Sequence, residues 1–323
     1  HTRCADVTGV QTCALPIWRD MENLTTKERQ LFHSLEGFMC MSRNLSATDV
    51  YLERFLAVFN FLLSIIASLG NLLILVALPK TCSLHSPSKI LYRCLATTDF
   101  CVGVVAQPAF AVQLLYNNGE RQELCYMSLR LSFCAGVILC GVSMTTLAAL
   151  SVDRLLALLL TLRYRQIVTT ARVRAVLGSF WITSAFVSTT YFWNDNVTTI
   201  IGCTAPFICL SISALSYAKM CQSLRRRHVQ IACKNKDIPI NIARYKKTVS
   251  TAIYIQLFFV VCYLPYGIVT TVLAVSGLKP SLVLPWASSY CLLLINSSIN
   301  PFLYIWRIRD VRQAVKNTIR WNN

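Results

Sequence analysis

Long apolar runs without charge alternate along the chain with short segments into which its charges are gathered. Stretches 55–79, 131–152, 175–194, 196–218, 248–278 and 281–306 hold no Asp, Glu, Lys or Arg, and 94–119 holds only Asp99. Each runs to about 20 residues or more, enough at about 1.5 Å per residue to cross roughly 30 Å of hydrocarbon. The pattern predicts an all-α fold, a seven-transmembrane helix bundle over 55–306. Beyond it, Ile308, Val311, Val315 and Ile319 share one side of a helical projection, with Arg309, Arg312, Lys316 and Arg320 on the others. That is the signature of a short amphipathic helix lying on the membrane surface within 307–323.

The distribution of charge sets the direction of threading. Most of the 31 Lys and Arg lie in the segments after the first, third, fifth and seventh spans. They include Arg163, Arg165, Arg172, Arg174, the run Arg225-Arg226-Arg227, and Arg244, Lys246 and Lys247. The positive-inside rule then puts the C-terminus in the cytoplasm and the N-terminal segment 21–54 outside, in a multi-pass protein of the cell membrane. Acceptor patterns for glycosylation at Asn23, Asn44 and Asn196 all fall outside in this topology. Residues 7–17 resemble translated sequencing-adapter DNA, so 1–20 is expected to be a non-native leader with Met21 as the start.

Composition narrows the class further. The chain is 55% hydrophobic and 14% charged, against about a quarter charged in a soluble domain. A net charge of +17 raises nucleic-acid binding, but the basic runs sit between apolar spans and not on one water-exposed face. Fifteen Cys and four His form no CxxC or other metal-ligand spacing, and Cys at membrane depth is ordinarily a small apolar filler.

One polar group stands out. A carboxylate at mid-membrane is expensive unless partnered, and Asp99 has candidate partners in Asn71, Ser143, Asn296, Ser297 and Asn300 on neighbouring spans. Pro265 lacks the N–H that closes a helical bond, so the sixth span should kink there.

Gly70-Asn71, Leu95-Ala-Thr-Thr-Asp99, Val152-Asp153-Arg154 and Asn300-Pro301-Phe-Leu-Tyr304 recur in order, each on its own span. From about 49 to 321 the chain thereby resembles the rhodopsin-like (class A) G-protein-coupled receptors. The resemblance implies a receptor, not an enzyme, that turns binding of an extracellular ligand into activation of a heterotrimeric G-protein. Arrestin would be a further partner and the lipid bilayer the surrounding medium, with no nucleic acid and no enzymatic cofactor. It implies a signalling switch of Asp153, Arg154, Leu162, Tyr217, Tyr263, Pro265, Asn300, Pro301 and Tyr304. Arg154 would leave Asp153 on activation to meet the G-protein or Tyr217, while Asn300 and Tyr304 swing inward. It also implies that Asp99, Ser143, Asn296 and Ser297 surround an allosteric sodium ion; the alternative is a hydrated polar network with no held ion.

Several positions depart from the family pattern. Leu155 follows Arg154 in place of Tyr, and Thr161 replaces a common Pro, with Leu162 and Tyr164 matching the plug and tyrosine of the second cytoplasmic loop. Tyr245 stands where some members carry an acid that locks the Arg, so a less firmly held inactive state is expected. Tyr263 replaces the Trp of the sixth span, and Cys209 stands at the usual Pro of the fifth, with Pro206 three residues earlier. The family pairs a Cys atop the third span with one in the second external loop. Here Cys125 would rise about 43 Å above Arg154 and Cys203 about 24 Å above Lys219, which disfavours that pairing. Cys40 is another partner for Cys125, and the remaining alternative leaves both free. A near-absent second external loop, with no loop cysteine, is an architecture close to melanocortin receptors, with adenosine and lipid receptors nearby.

The ligand pocket is expected between the outer halves of spans two, three, six and seven, lined by Phe110, Gln113, Phe133, Thr270, Trp286 and Tyr290. Gly136 stands where aminergic receptors carry an Asp, Leu294 where opsins carry the retinal Lys, and Thr270 where adenosine receptors carry an Asn. What is left suits a small apolar or chemosensory molecule, with a peptide as the second choice. A membrane channel or transporter is the alternative class, and it predicts paired repeats or several intramembrane charges; Asp99 alone is charged at depth.

Overall fold

The computed structural model describes residues 39–40, 47–81, 85–116, 121–161, 163–192, 195–234, 240–277, 279–307 and 309–321. Side chains are described for these except 195–196, 199, 227–234, 240–256, 280, 307, 309–310 and 319–321. Among the described residues eight helices of more than one turn follow in order: α1 (Ala47–Ala77), α2 (Ser86–Leu115), α3 (Gln122–Leu160), α4 (Thr170–Thr190), α5 (Asp195–Lys234), α6 (Ile240–Ser276), α7 (Val283–Arg307) and α8 (Arg309–Trp321). Each of the first seven covers most of one apolar run. Helix α3 runs through the middle of the bundle against α2, α4 and α5, and α7 packs on α1 and α6.

Exposure is the inverse of that in a soluble protein. Phe55, Ile182, Phe186 and Leu215 on the outside are each more than 60% exposed, while Asn60, Asn71, Asp99, Gln107 and Ser143 inside are at most 1% exposed. Such a surface is stable only against hydrocarbon. By length and apolarity α1, α2, α3, α5 and α6 can each cross a membrane, as can α7 taken with α8, which turns away from it by 96°. Helix α4 falls short on this criterion because Ser and Thr interrupt it. Their hydroxyls stay satisfied locally, Ser179 donating to the Val176 carbonyl, Thr183 to Ser179, Thr189 to Phe186 and Thr190 to Val187. A hydroxyl that bonds its own helix no longer opposes burial in lipid.

Helix α2 departs from regular geometry at a place the hydrophobic pattern did not mark. Val102–Ala106 form a π turn just ahead of Pro108, which supplies no N–H to the preceding turn. The bulge brings Gly103 against α1, where a Cβ would lie 2.7 Å from Ser68 Oγ and 2.8 Å from its backbone nitrogen. Helices α5, α6 and α7 run on through Pro206, Pro265 and Pro301.

At one end of the bundle Cys40 and Cys125 form a disulfide with their Cα atoms 5.8 Å apart. Cys203, the family-type partner, is instead a free thiol facing the Gly267 carbonyl on α6. The helical rise explains the choice, since Cys203 sits too deep along α5 to reach the top of α3. At the opposite end α8 buries Val311, Ala314 and Val315 in a cluster with Ile74, Ala77 and Leu78, and Lys80 Nζ donates to Thr318 Oγ1 at 3.2 Å. Arg312 and Lys316 point away and are exposed, as the amphipathic pattern requires. Ile308 lies outside the described residues, and Ile319 outside the described side chains.

Candidate functional site

At the α8 end, α3 carries Asp153 and Arg154 side by side. Asp153 is 4% exposed and accepts two hydrogen bonds, from Tyr164 Oη at 2.6 Å and Ser88 Oγ at 2.9 Å. Its Oδ2 also lies 3.5 Å from Arg154 Nη2. Tyr164 reaches back because Thr161 ends α3 with a backbone φ of 40°. Pro, fixed near −65°, has no access to that conformation, so the chain turns where the usual Pro would carry it onward. Burial, and then the hydrogen bond to Asp153, push the Tyr164 hydroxyl up to about 12, which keeps it a proton donor.

Arg154 is held loosely. Its guanidinium lies 5.8 Å from the centre of the Tyr92 ring, and neither Nε nor Nη2 makes a hydrogen bond. Tyr217 does not meet Arg154; its hydroxyl accepts from Ser151 Oγ at 2.9 Å, and its ring lies beside Leu158 and Met220. Tyr304 is buried edge-on to Tyr92, ring centres 5.5 Å apart, with its hydroxyl unpaired. Arg154 of α3 and Tyr304 of α7 thus meet around Tyr92, with Tyr217 of α5 set apart from them. Leu162 lies outside the described residues, and the Tyr245 side chain is likewise not described.

One layer deeper, Asp99 is fully buried. Asn300 Nδ2 donates to its Oδ2 at 2.7 Å and Ser143 Oγ to its Oδ1 at 3.4 Å, with the Ser297 hydroxyl also bonded to it. Asn71 Nδ2 donates to the Ser297 carbonyl at 3.0 Å, leaving Asn71 Oδ1 without a partner. Asn296 is buried beside Ser297 on α7. A carboxylate, two hydroxyls and an amide oxygen with no protein partner in one buried layer are a hard-oxygen donor set, and they fit a small hard cation such as sodium.

From the level of this layer toward the disulfide end extends a cavity of about 640 Å³, within the range of small-molecule sites. Phe133, Thr270, Trp286 and Tyr290 line it, with Tyr263 among its inner residues. Tyr263 stacks on Phe259 with ring centres 4.0 Å apart, and its hydroxyl bonds the Cys140 thiol. Phe110 and Gln113 do not line it. Helix α2 is shut out because the buried Phe110 ring packs edge-on against Tyr290 at 4.8 Å and Trp286 at 6.3 Å. The wall is completed by α4 and α5 instead, through residues such as Ser184, Val187, Ile201 and Ala205. The cavity thus lies between α3, α4, α5, α6 and α7, whereas the sequence leads to the expectation of a pocket between spans two, three, six and seven.

Tyr290 closes one side of this chamber. Its hydroxyl donates to the Ser132 carbonyl at 2.9 Å and occupies the space a Cβ at position 136 would need, so Gly136 is what lets α7 approach α3. Sequence reasoning passed over Ser88 and Ser132, since a lone Ser on an apolar helix gives no signal. It also passed over an interior chain of amides: Asn60 Nδ2 donates to the Gln107 carbonyl at 2.6 Å, and Gln107 Nε2 to Ser298 Oγ at 3.2 Å. Asn23 and Asn44 lie outside the described residues. Asn196 sits in the first turn of α5, its side chain not described.

Residues 70–204 and 189–304 match the 7 transmembrane receptor (rhodopsin family). The chain belongs to that family. It is a multi-pass membrane protein and a signalling receptor.

Proposed function

We propose that the chain is a cell-surface receptor that converts binding of a small, uncharged, apolar or chemosensory molecule into activation of a heterotrimeric G-protein. The observation that carries the ligand class is the cavity wall, which among the described residues contains no Asp, Glu, Lys, Arg or His. A charged ligand would lose its hydration there without gaining a counter-ion. Peptides, rich in backbone donors and acceptors, would face the same shortage over most of their length.

In this reading the disulfide end faces outward, with Asn23, Asn44 and Asn196 as glycosylation sites, and the Arg154 end faces the cytoplasm. Ligand seated on Tyr263 biases the proline-hinged α6, α3 releases Arg154 from Asp153, and Asn300 leaves Asp99. Sodium held by Asp99, Ser143, Asn296 and Ser297 would add charge compensation to the closed arrangement. Arrestin would compete for the surface so opened.

Guanine-nucleotide exchange, in membranes carrying the wild type or Arg154→Ala and screened against a library of neutral lipophilic compounds, tests this. Exchange on at least one G-protein type should rise with a ligand and fall with the substitution. Exchange indifferent to Arg154→Ala on every type would overturn the coupling, and activation by charged ligands alone would overturn the ligand class.

A further inference from the structure

The chamber reaches the side of the bundle. At their outer ends α4 and α5 are clasped, Thr190 and Thr198 joining hydroxyls at 2.8 Å. Seven residues below Thr190, about 10 Å along the helix, Thr183 lines the chamber and is itself exposed. Its neighbours on the outer surface, Ile182 and Phe186, are 72% and 66% exposed. Across from it, Ile201 and Ala205 line the chamber from α5 and are half-buried. The two helices therefore part beneath the clasp. Since α4 is only 21 residues long, a gap about 10 Å from its end lies at the depth of lipid chains and not of headgroups.

Inside the gap there is room. A Cβ at Gly202, on the inner face of α5, would meet nothing within 4 Å. Phe133 and Thr145 both belong to the wall, so the chamber extends about 18 Å along α3. Its hydroxyls are largely committed: Thr145 donates to the Gly141 carbonyl at 2.8 Å, Thr270 to Tyr266 at 2.7 Å, and Thr183 to Ser179. The space is long, uncharged and sparing of free donors, and it opens into hydrocarbon.

We propose that ligand reaches the chamber from the bilayer through this window between α4 and α5, and that the occupant is an uncharged single-chain lipid whose chain lies along α3. A molecule of that kind is concentrated in the membrane already. It passes Thr183 and Ala205 without crossing water or shedding a charge. This rests on the reading that the chamber is the ligand site.

The test uses the full chain in phosphatidylcholine nanodiscs with a monoacylglycerol carrying a diazirine in its acyl chain, photolysed and mapped by peptide mass spectrometry. In the wild type, label should appear on the chamber peptide containing Cys140 and Met144. Thr183→Trp and Ala205→Trp, each plugging the window from one side, should abolish chamber label while label on Ile182 and Phe186 persists. Val275→Trp, 84% exposed at the outer end of α6 and outside the chamber lining, should leave chamber label unchanged. Thr183 is exposed, so Trp there displaces no core atom, and that variant alone decides if Ala205→Trp does not fold. Chamber label that survives both window plugs would overturn the lateral route and leave the ligand class standing. Label confined to the outer surface in the wild type would overturn both.

Discussion

Removing the Tyr164 hydroxyl should switch the receptor partly on. In this structure Tyr164 Oη donates to Asp153 Oδ1 at 2.6 Å, inside a pocket where Asp153 is 4% exposed. A hydrogen bond to a charged group contributes about 1.5–3 kcal/mol. Arg154 is 30% exposed and 3.5 Å from the carboxylate, so its ion pair is screened and adds less than the hydroxyl does. If the Tyr164 bond exists only in the closed state, Tyr164→Phe shifts the equilibrium by at least the lower figure. At about 1.4 kcal/mol per factor of ten, a minor open population rises roughly tenfold, and basal nucleotide exchange with it. The assay is exchange in membranes matched for surface receptor, with no ligand. Asp153→Asn supplies the second arm: if Tyr164 acts through Asp153, adding Tyr164→Phe to Asp153→Asn changes exchange by less than about twofold. Because the Tyr164 hydroxyl is pushed up to about 12, it stays protonated across the neutral range, and the mutant-to-wild-type ratio should not vary there. Basal exchange unchanged in Tyr164→Phe, or two effects that simply multiply, would refute the reasoning.

Three further outcomes follow from the packing and the buried polar layer. Gly103→Ala should lower the thermal midpoint in detergent, since overpacking at Ser68 costs about 1–3 kcal/mol and outweighs the roughly 0.5–1 kcal/mol that Ala ordinarily adds in a helix; a raised midpoint would contradict the described α1–α2 contact. Cys40→Ser and Cys125→Ser should each remove about 2–4 kcal/mol, with the double variant no worse than either single one in the same melt. Asp99→Asn should abolish any suppression of basal exchange by sodium over potassium, and suppression retained in the variant would remove sodium from that layer.

The two halves of the Cys question show where sequence reading stops. Helical rise along α3 and α5 was enough to disfavour Cys125–Cys203, because rise depends only on residue count. Which cysteine replaced it depended on the path of the N-terminal segment, and residue count does not encode that path. Thr161 is a similar case. Its departure from Pro was visible, but the left-handed turn that returns Tyr164 to Asp153 was not, since φ 40° is set by what lies on the far side of the turn.

What the chain determines by itself is whatever hydrocarbon imposes locally: the number and order of its helices, the amphipathic α8, the lone acid at depth and the motifs that mark each span. Each depends on a few consecutive residues meeting one solvent. The location of the chamber depended on the tertiary structure alone. Phe110, Phe133, Trp286 and Tyr290 are all large aromatics near one end of their helices, and composition ranks them alike. Packing separates them, because Phe110 fills the space on the α2 side and drives the cavity across to α4 and α5. Volume left over is a property of how helices meet, and it is legible only once they have met.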